Sequence, residues 1–203
     1  MEELTVENHK KYSFRIDLFR KFGYDIAKER DLIITESQPI NGEIIELGTG
    51  KGYFTLALAL KGYHFTTVDI SQEEQEFARQ NIKYYKLDSQ VNFVVADAAQ
   101  TNFPDASFDI AFAINLLHHL KNPLKVIDEL FRIVTKQGKI VLGDFSEEGF
   151  KIVNQVHMSE GHHHSKGQYN LSDIEKYLKN KNHVMKRFET KCQDLLIIHK
   201  KGH

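Results

Sequence analysis

The chain has 203 residues, 41% hydrophobic and 27% charged, with 27 Lys and Arg against 28 Asp and Glu and one cysteine. A chain of this length buries about 70% of its unfolded surface, so one domain needs no disulfides, and the formal net charge of -1 excludes a global positive field for nucleic acid or anionic membrane. The N-terminal MEELTVENHKK is charged with no apolar run behind it, which predicts a cytoplasmic protein with neither a secretory signal nor a membrane anchor.

Residues 1–36 read as helical, because Phe14, Leu18, Phe19, Phe22 and Ile26 recur at three- and four-residue spacing. After Pro39 and Asn41-Gly42, short β-branched runs alternate with helical stretches: Glu43–Leu47, His64–Asp69, Val91–Ala96, Asp109–Asn115 and Lys139–Asp144. Ser71 with Glu74 has capping-box spacing ahead of a helix through about Leu87. Asn122-Pro123 opens a helix ending near Gly138, and Ser172 with Glu175 repeats the box before a last helix. Parallel neighbours need crossovers, so this alternation predicts an α/β fold, a parallel sheet wound with helices on both faces. The run Leu195–His199 is expected as an antiparallel strand inserted at an edge of the sheet.

The segment Glu46-Leu47-Gly48-Thr49-Gly50-Lys51-Gly52 carries a strand into closely spaced glycines and a helix, a turn that lets a ligand approach without a Cβ in the way. Asp69 ends the second strand where such sheets place a carboxylate for ribose hydroxyls. Asp97 ends the third, where it could accept from an exocyclic amine. Glu46, Asp69 and Asp97 make a pocket with no cation beyond Lys51, itself read as a solvated lysine. Such a pocket repels a pyrophosphate and attracts a positive ligand. The third glycine comes one residue early for a dinucleotide fingerprint, and Gly52 follows Lys51 where a P-loop needs Ser or Thr.

Four ordered motifs over roughly residues 40–145 resemble the class I S-adenosylmethionine-dependent methyltransferases, with the closest look to the small ubiquinone/menaquinone-biosynthesis C-methyltransferases. They are Glu46 to Gly52, Thr67-Val68-Asp69-Ile70-Ser71, Ala96-Asp97-Ala98, and Phe108-Asp109-Ile110 continuing to Asn115-Leu116-Leu117-His118-His119-Leu120. The resemblance implies a Rossmann-like, mostly parallel seven-stranded sheet with an antiparallel last strand, and S-adenosyl-L-methionine as cofactor. It assigns Gly48, Thr49, Gly50, Gly52 and Glu46 to the methionine end, Asp69 to the ribose, Asp97 and Ala98 to the adenine and Asn115 to the pocket floor, and counts Ile70 among the cofactor-binding residues. Glu46 stands where an aspartate is common in the family.

The whole chain, 1–203, is then expected to be one methyltransferase domain: an N-terminal helical lid (1–36), for whose His9 and Tyr12 the alternative to closing over the cofactor is an amphipathic helix on the sheet, a cofactor-binding core (40–145), and an acceptor-side segment with the final strand (146–203). A small-molecule methyl acceptor is the expected partner, with no nucleic acid and no membrane. His118 and His119 are the candidate bases, and packing at a helix entry is the bland alternative for both. Asp144, His157, Glu160 and one of His162-His163-His164 are expected either to converge at the acceptor or to form a solvated loop, and a metal there is the minor reading because no ordered zinc spacing is present. Cys192 reads as a structural thiol. Two other functions stay open: a non-catalytic S-adenosylmethionine-binding sensor or partner subunit, and a nicotinamide-dependent oxidoreductase, which the glycine spacing disfavours.

Overall fold

In the computed structural model, which describes residues 2–161, 167–179, 181 and 183–200, seven strands form one sheet in the order β3-β2-β1-β4-β5-β7-β6. The strands are β1 (Ile44–Leu47), β2 (Phe65–Asp69), β3 (Val91–Val95), β4 (Phe108–Ile114), β5 (Val134–Phe145), β6 (Val184–Glu189) and β7 (Gln193–His199). The first five are parallel, and β7 runs antiparallel to both β5 and β6. Chain order reverses between β1 and β4, so a crevice opens at their C-terminal ends, where sheets of this kind bind ligands.

Helices cover both faces. On one, α2 (Ile26–Glu36), α3 (Tyr53–Leu60) and α4 (Gln72–Tyr84) bring Ile33, Phe54, Leu58 and Ile82 against Phe112, Val141, Leu195 and Ile197. On the other, α5 (Pro123–Ile133) and α7 (Leu171–Leu178) bring Ile127, Leu130, Ile174 and Leu178 against Leu47, Ala113, Leu142, Leu196 and Ile198. Leu195 to Ile198 therefore alternate between two cores, the period of two expected of a strand covered on both sides.

Helix α1 (Glu3–Lys21) spans from α4 to α6 (Glu147–Ser159). At one end the Thr5 hydroxyl donates to Gln80 at 2.6 Å and His9 stacks on Tyr84 with ring centroids 3.6 Å apart. At the other, Arg15 pairs with Glu160 at 3.2 Å. A third core lies beneath, where Phe19, Tyr24 and Ile26 meet Ile152, Val156 and the buried Cys192.

Four local expectations change. The helical reading of 1–36 breaks at Gly23, whose φ of 92° lets the chain turn before Asp25 caps α2 through the Lys28 N–H. Phe14 lies off the buried face and is 68% exposed. The last helix is capped by Asn170 and Asp173, two residues before the expected box. Strand β7 is inserted one place in from the edge, and the edge is β6, a charged, half-exposed strand that the sequence pattern did not reveal.

Helix α6 seats on the strand end through Gly149, where a Cβ would overlap the Cys192 carbonyl oxygen. Gly149→Ala is expected to cost about 1–3 kcal/mol of stability, by overpacking against backbone that has no room to give. Urea denaturation with an unchanged midpoint would show that α6 moves freely.

Candidate functional site

The glycine loop bends over the end of β1 and is held by backbone. The Gly48 and Thr49 N–H groups both donate to the Val68 carbonyl, at 2.7 and 3.1 Å. Gly52 has φ 76°, and a Cβ there would lie 2.6 Å from the Ala78 Cβ, so this glycine lets α3 and α4 approach closely. Gly50 differs: with φ 46° it has no atom within 4 Å of a Cβ position, so the loop is open at its tip.

Glu46 lies under the loop, 1% exposed, and its Oε2 accepts from the Thr55 and Thr67 hydroxyls at 2.6 and 2.7 Å. Burial pushes its pKa up to about 7, against the opposing effect of the two threonine hydrogen bonds. The expected three-acid pocket is therefore corrected: at neutral pH Glu46 is partly protonated and buried, leaving Asp69 and Asp97 as the acids at the rim. The Asp69 carboxylate spans the crevice wall, accepting from Gly50 N–H at 2.8 Å through Oδ2 and from Ser71 N–H at 2.9 Å through Oδ1. Each oxygen keeps lone-pair capacity. Asp97 is exposed, with Ala99 N–H on its Oδ1, beside the part-buried Ala98. Ile70 is 72% exposed, an apolar flank next to Asp69.

Across the crevice, Asn115 sits at φ 55° and donates its N–H to the Gly143 carbonyl at 2.8 Å. The turn 117–119 follows. His118 is 4% exposed and its Nδ1 lies 2.5 Å from Asp144 Oδ1, with Phe145 and Phe150 packed on its ring. His119 is exposed, its ring tilted on His118 with centroids 4.0 Å apart. Surrounding protein and the neighbouring His118 push its pKa down to about 4, and His157 does the same more weakly, against the pull of Asp144 and Asp69. The two candidate bases thus separate: His119 is neutral and accessible, and His118 is buried against an aspartate.

Of the residues expected at the acceptor, Asp144 and His157 both act electrostatically on His119. Asp144 holds His118, whereas His157 and Glu160 both meet Arg15 of α1, at 3.2 Å each. His162, His163 and His164 lie outside the described residues, and among the described residues no group of three His, Cys, Asp or Glu is placed to hold a metal. The sequence reading also missed a cation. Arg30 of α2 is 5% exposed and its charge is felt at Glu46, where burial remains the dominant influence. One charge among Lys28, Glu29, Arg30 and Asp31 carries no signal in the sequence that it alone turns inward.

Residues 45–142 match the family model described as a methyltransferase domain. The chain is 35% identical over 118 residues to demethylmenaquinone methyltransferase of Clavibacter sepedonicus, covering 58% of this chain and 47% of that protein. It is also 35% identical over 104 residues to 27-O-demethylrifamycin SV methyltransferase of Amycolatopsis mediterranei, covering 50% of this chain and 38% of that one. It thus spans less than half the length of both. A S-adenosylmethionine-dependent methyltransferase from Methanosarcina mazei superposes with a TM-score of 0.64 at 22% identity, over 84% of this chain and 98% of that one. The fold and the match over residues 45–142 together make this domain similar to the class I S-adenosylmethionine-dependent methyltransferases. Its cofactor is S-adenosyl-L-methionine, and the open loop tip at Gly50 beside the Asp69 carboxylate suits an adenosyl ligand.

The raised pKa of Glu46 sets a pH dependence. Between its ordinary value of 4.5 and about 7, the unfolded chain gives up this proton while the folded chain keeps it. Stability from this group therefore falls as pH rises through that window, by about 3 kcal/mol at most. Wild type should lose stability relative to Glu46→Gln from pH 5 to 7 and run parallel to it above pH 7.5. Parallel denaturation midpoints throughout would mean that Glu46 stays ionised.

Proposed function

We propose that the protein moves the methyl group of S-adenosylmethionine to a small-molecule acceptor by in-line displacement. What carries this reading is an exposed, neutral histidine, His119, across the crevice from the open glycine loop and the Asp69 carboxylate. The named activities of the relatives, on demethylmenaquinone and 27-O-demethylrifamycin SV, support a small acceptor.

In this assignment Asp69 accepts from the ribose hydroxyls, Asp97 and Ala98 lie at the adenine edge, Ile70 covers the base, and Gly48, Thr49, Gly50 and Gly52 shape the loop beside the amino-acid end. Glu46 acts beneath the loop through Thr55 and Thr67. Bound cofactor supplies an electrophilic methyl on a sulfonium, a leaving group that needs no acid. Held by Asp69, Asp97 and the glycine loop, it would supply its methyl to the lone pair of the acceptor and be left as a neutral thioether. The protein's share is alignment, which in well-oriented model reactions supplies about 7–11 kcal/mol. A proton shed by the acceptor passes to the His119 imidazole. His118, fixed by Asp144, is a positioning residue that sets the tilt of His119.

Incubation with S-adenosylmethionine carrying a chiral labelled methyl, and with small-molecule extracts as acceptors, tests the reading. Label should enter a low-molecular-mass product with inverted configuration. Retention would exclude a single displacement, and label confined to protein or nucleic acid would exclude a small acceptor. Asp69→Ala should weaken S-adenosylhomocysteine binding more than tenfold by calorimetry, because it removes both the ribose acceptor and the tie to Gly50. His119→Ala should lower turnover by about 100-fold with that affinity unchanged, and equal turnover would remove His119 from the proton path.

A further inference from the structure

A cavity of about 380 Å³ lies between α1, α2 and α3, within the size range of small-molecule pockets. None of Asp69, Asp97, Asn115 or the glycine loop lines it, so it is separate from the cofactor crevice. Its α3 wall is one stripe of Tyr53, Leu56, Ala57, Leu60 and Lys61, spaced as one helix face and running about 12 Å along the axis. Aliphatic side chains supply most of the rest, with Ile16 from α1 and Ile26 and Ile34 from α2.

The charges on these walls do not cancel. Asp17 pairs with Arg20 and Asp31 with Lys61. That leaves Arg30, 5% exposed, as the one lining charge with no opposite partner among the described residues. Glu46, at which this charge is felt, is pushed up to about 7 by burial and is tied to Thr55 and Thr67. Arg30 Nε and Nη1 are buried without hydrogen-bond partners, and so is the Tyr53 hydroxyl. Burial raises the pKa of Tyr53 to about 12, against the charges of Arg15 and Arg30, so its hydroxyl stays protonated at neutral pH. An unpaired guanidinium in such surroundings is costly. Together the guanidinium and the phenol present donors and one positive charge, the complement of a single carboxylate.

We infer that this cavity is a second ligand site, which takes a small carboxylic acid with an extended apolar tail: Arg30 and Tyr53 hold the carboxylate, and the tail lies along α3 between α1 and α2. The site lies outside the crevice assigned to methyl transfer and goes beyond that reading. Tyr53 opens α3 directly after Gly52. An occupant therefore steadies the first turn of α3, which also carries Thr55, a partner of Glu46 beneath the glycine loop.

Calorimetry on the full chain tests this with octanoate, its shorter homologues hexanoate and butanoate, and 1-octanol, which has the tail without the carboxylate. Each methylene gained from butanoate to octanoate should tighten binding about two- to fourfold, and 1-octanol should bind at least about tenfold more weakly than octanoate. Arg30→Met should lose about 10- to 100-fold in affinity for octanoate, and Arg30→Lys should recover part of the loss. Ala57→Phe, which fills the cavity from α3 and leaves Arg30 in place, should abolish octanoate binding. Both Arg30→Met and Ala57→Phe should keep their affinity for S-adenosylhomocysteine to within about twofold, which also shows that they are folded. Wild type saturated with octanoate should still bind S-adenosylhomocysteine. No binding of octanoate to wild type, equal affinity for octanoate and 1-octanol, or an undiminished octanoate affinity in either variant would overturn the site. Competition between octanoate and S-adenosylhomocysteine, or a lost S-adenosylhomocysteine affinity in Arg30→Met, would place the guanidinium in the cofactor crevice and overturn it equally. Wild type that binds octanoate but not S-adenosylhomocysteine would support the site and overturn the cofactor reading alone.

Discussion

A carboxylate that is 1% exposed holds the glycine loop from below. Glu46 accepts from Thr55 on α3 and Thr67 on β2, and the Thr67 hydroxyl lies 2.7 Å from that of Thr49 in the loop. Gln75 of α4 then donates to Thr49 at 3.3 Å and to the Val94 carbonyl at 2.9 Å. One network thereby ties β1, β2, β3, α3, α4 and the loop together in a region from which water is excluded. Networks of this kind act as a unit, because each buried member left unsatisfied would carry its full desolvation cost. The position of Asp69, the opening at Gly50 and the approach of α4 at Gly52 all depend on it.

The electrostatic character of the crevice follows from what is buried and what is not. Asp69 and Asp97 reach solvent, whereas Glu46 does not. Negative charge is therefore concentrated along the β2 and β3 ends, while Arg30 sets a positive charge behind the loop. Neutral imidazole at His119 faces this field from the far wall. Polar chemistry of graded sign along one crevice suits an elongated ligand with differently charged parts better than a compact ion.

Much of this was legible in the sequence. The parallel strands β1 to β5 announce themselves through β-branched runs, and Ser71 caps α4 as its spacing with Glu74 indicates. Glycines at 48, 50 and 52 mark the loop, because no other residue turns so tightly without strain. What stayed hidden depends on three-dimensional neighbours. Strand β6 has too few apolar residues to register as a strand, since an edge exposed to water needs only half a pattern. Adjacent histidines at 118 and 119 look alike in the chain, and the difference between them comes from Asp144, 26 residues away. Glu46 reads as an acid open to the pocket and Arg30 as an ordinary charge, since burial of a polar side chain is decided by what packs over it.

The place of β7 has a consequence for how the chain is made. It is the last strand to emerge, yet it lies between β5 and β6. As a nascent chain lengthens, β5 must present an unpaired outer edge until residues 193–199 have left the ribosome. At about 5–20 residues per second, the roughly fifty residues that follow β5 take about 3–10 s to synthesise. Throughout that interval Ile140, Val141 and Leu142 lie along an open hydrogen-bonding edge, the kind that recruits stray strands. Folding and translation are thus coupled at this edge, where a delay lengthens the period in which a neighbouring chain could take the place reserved for β7.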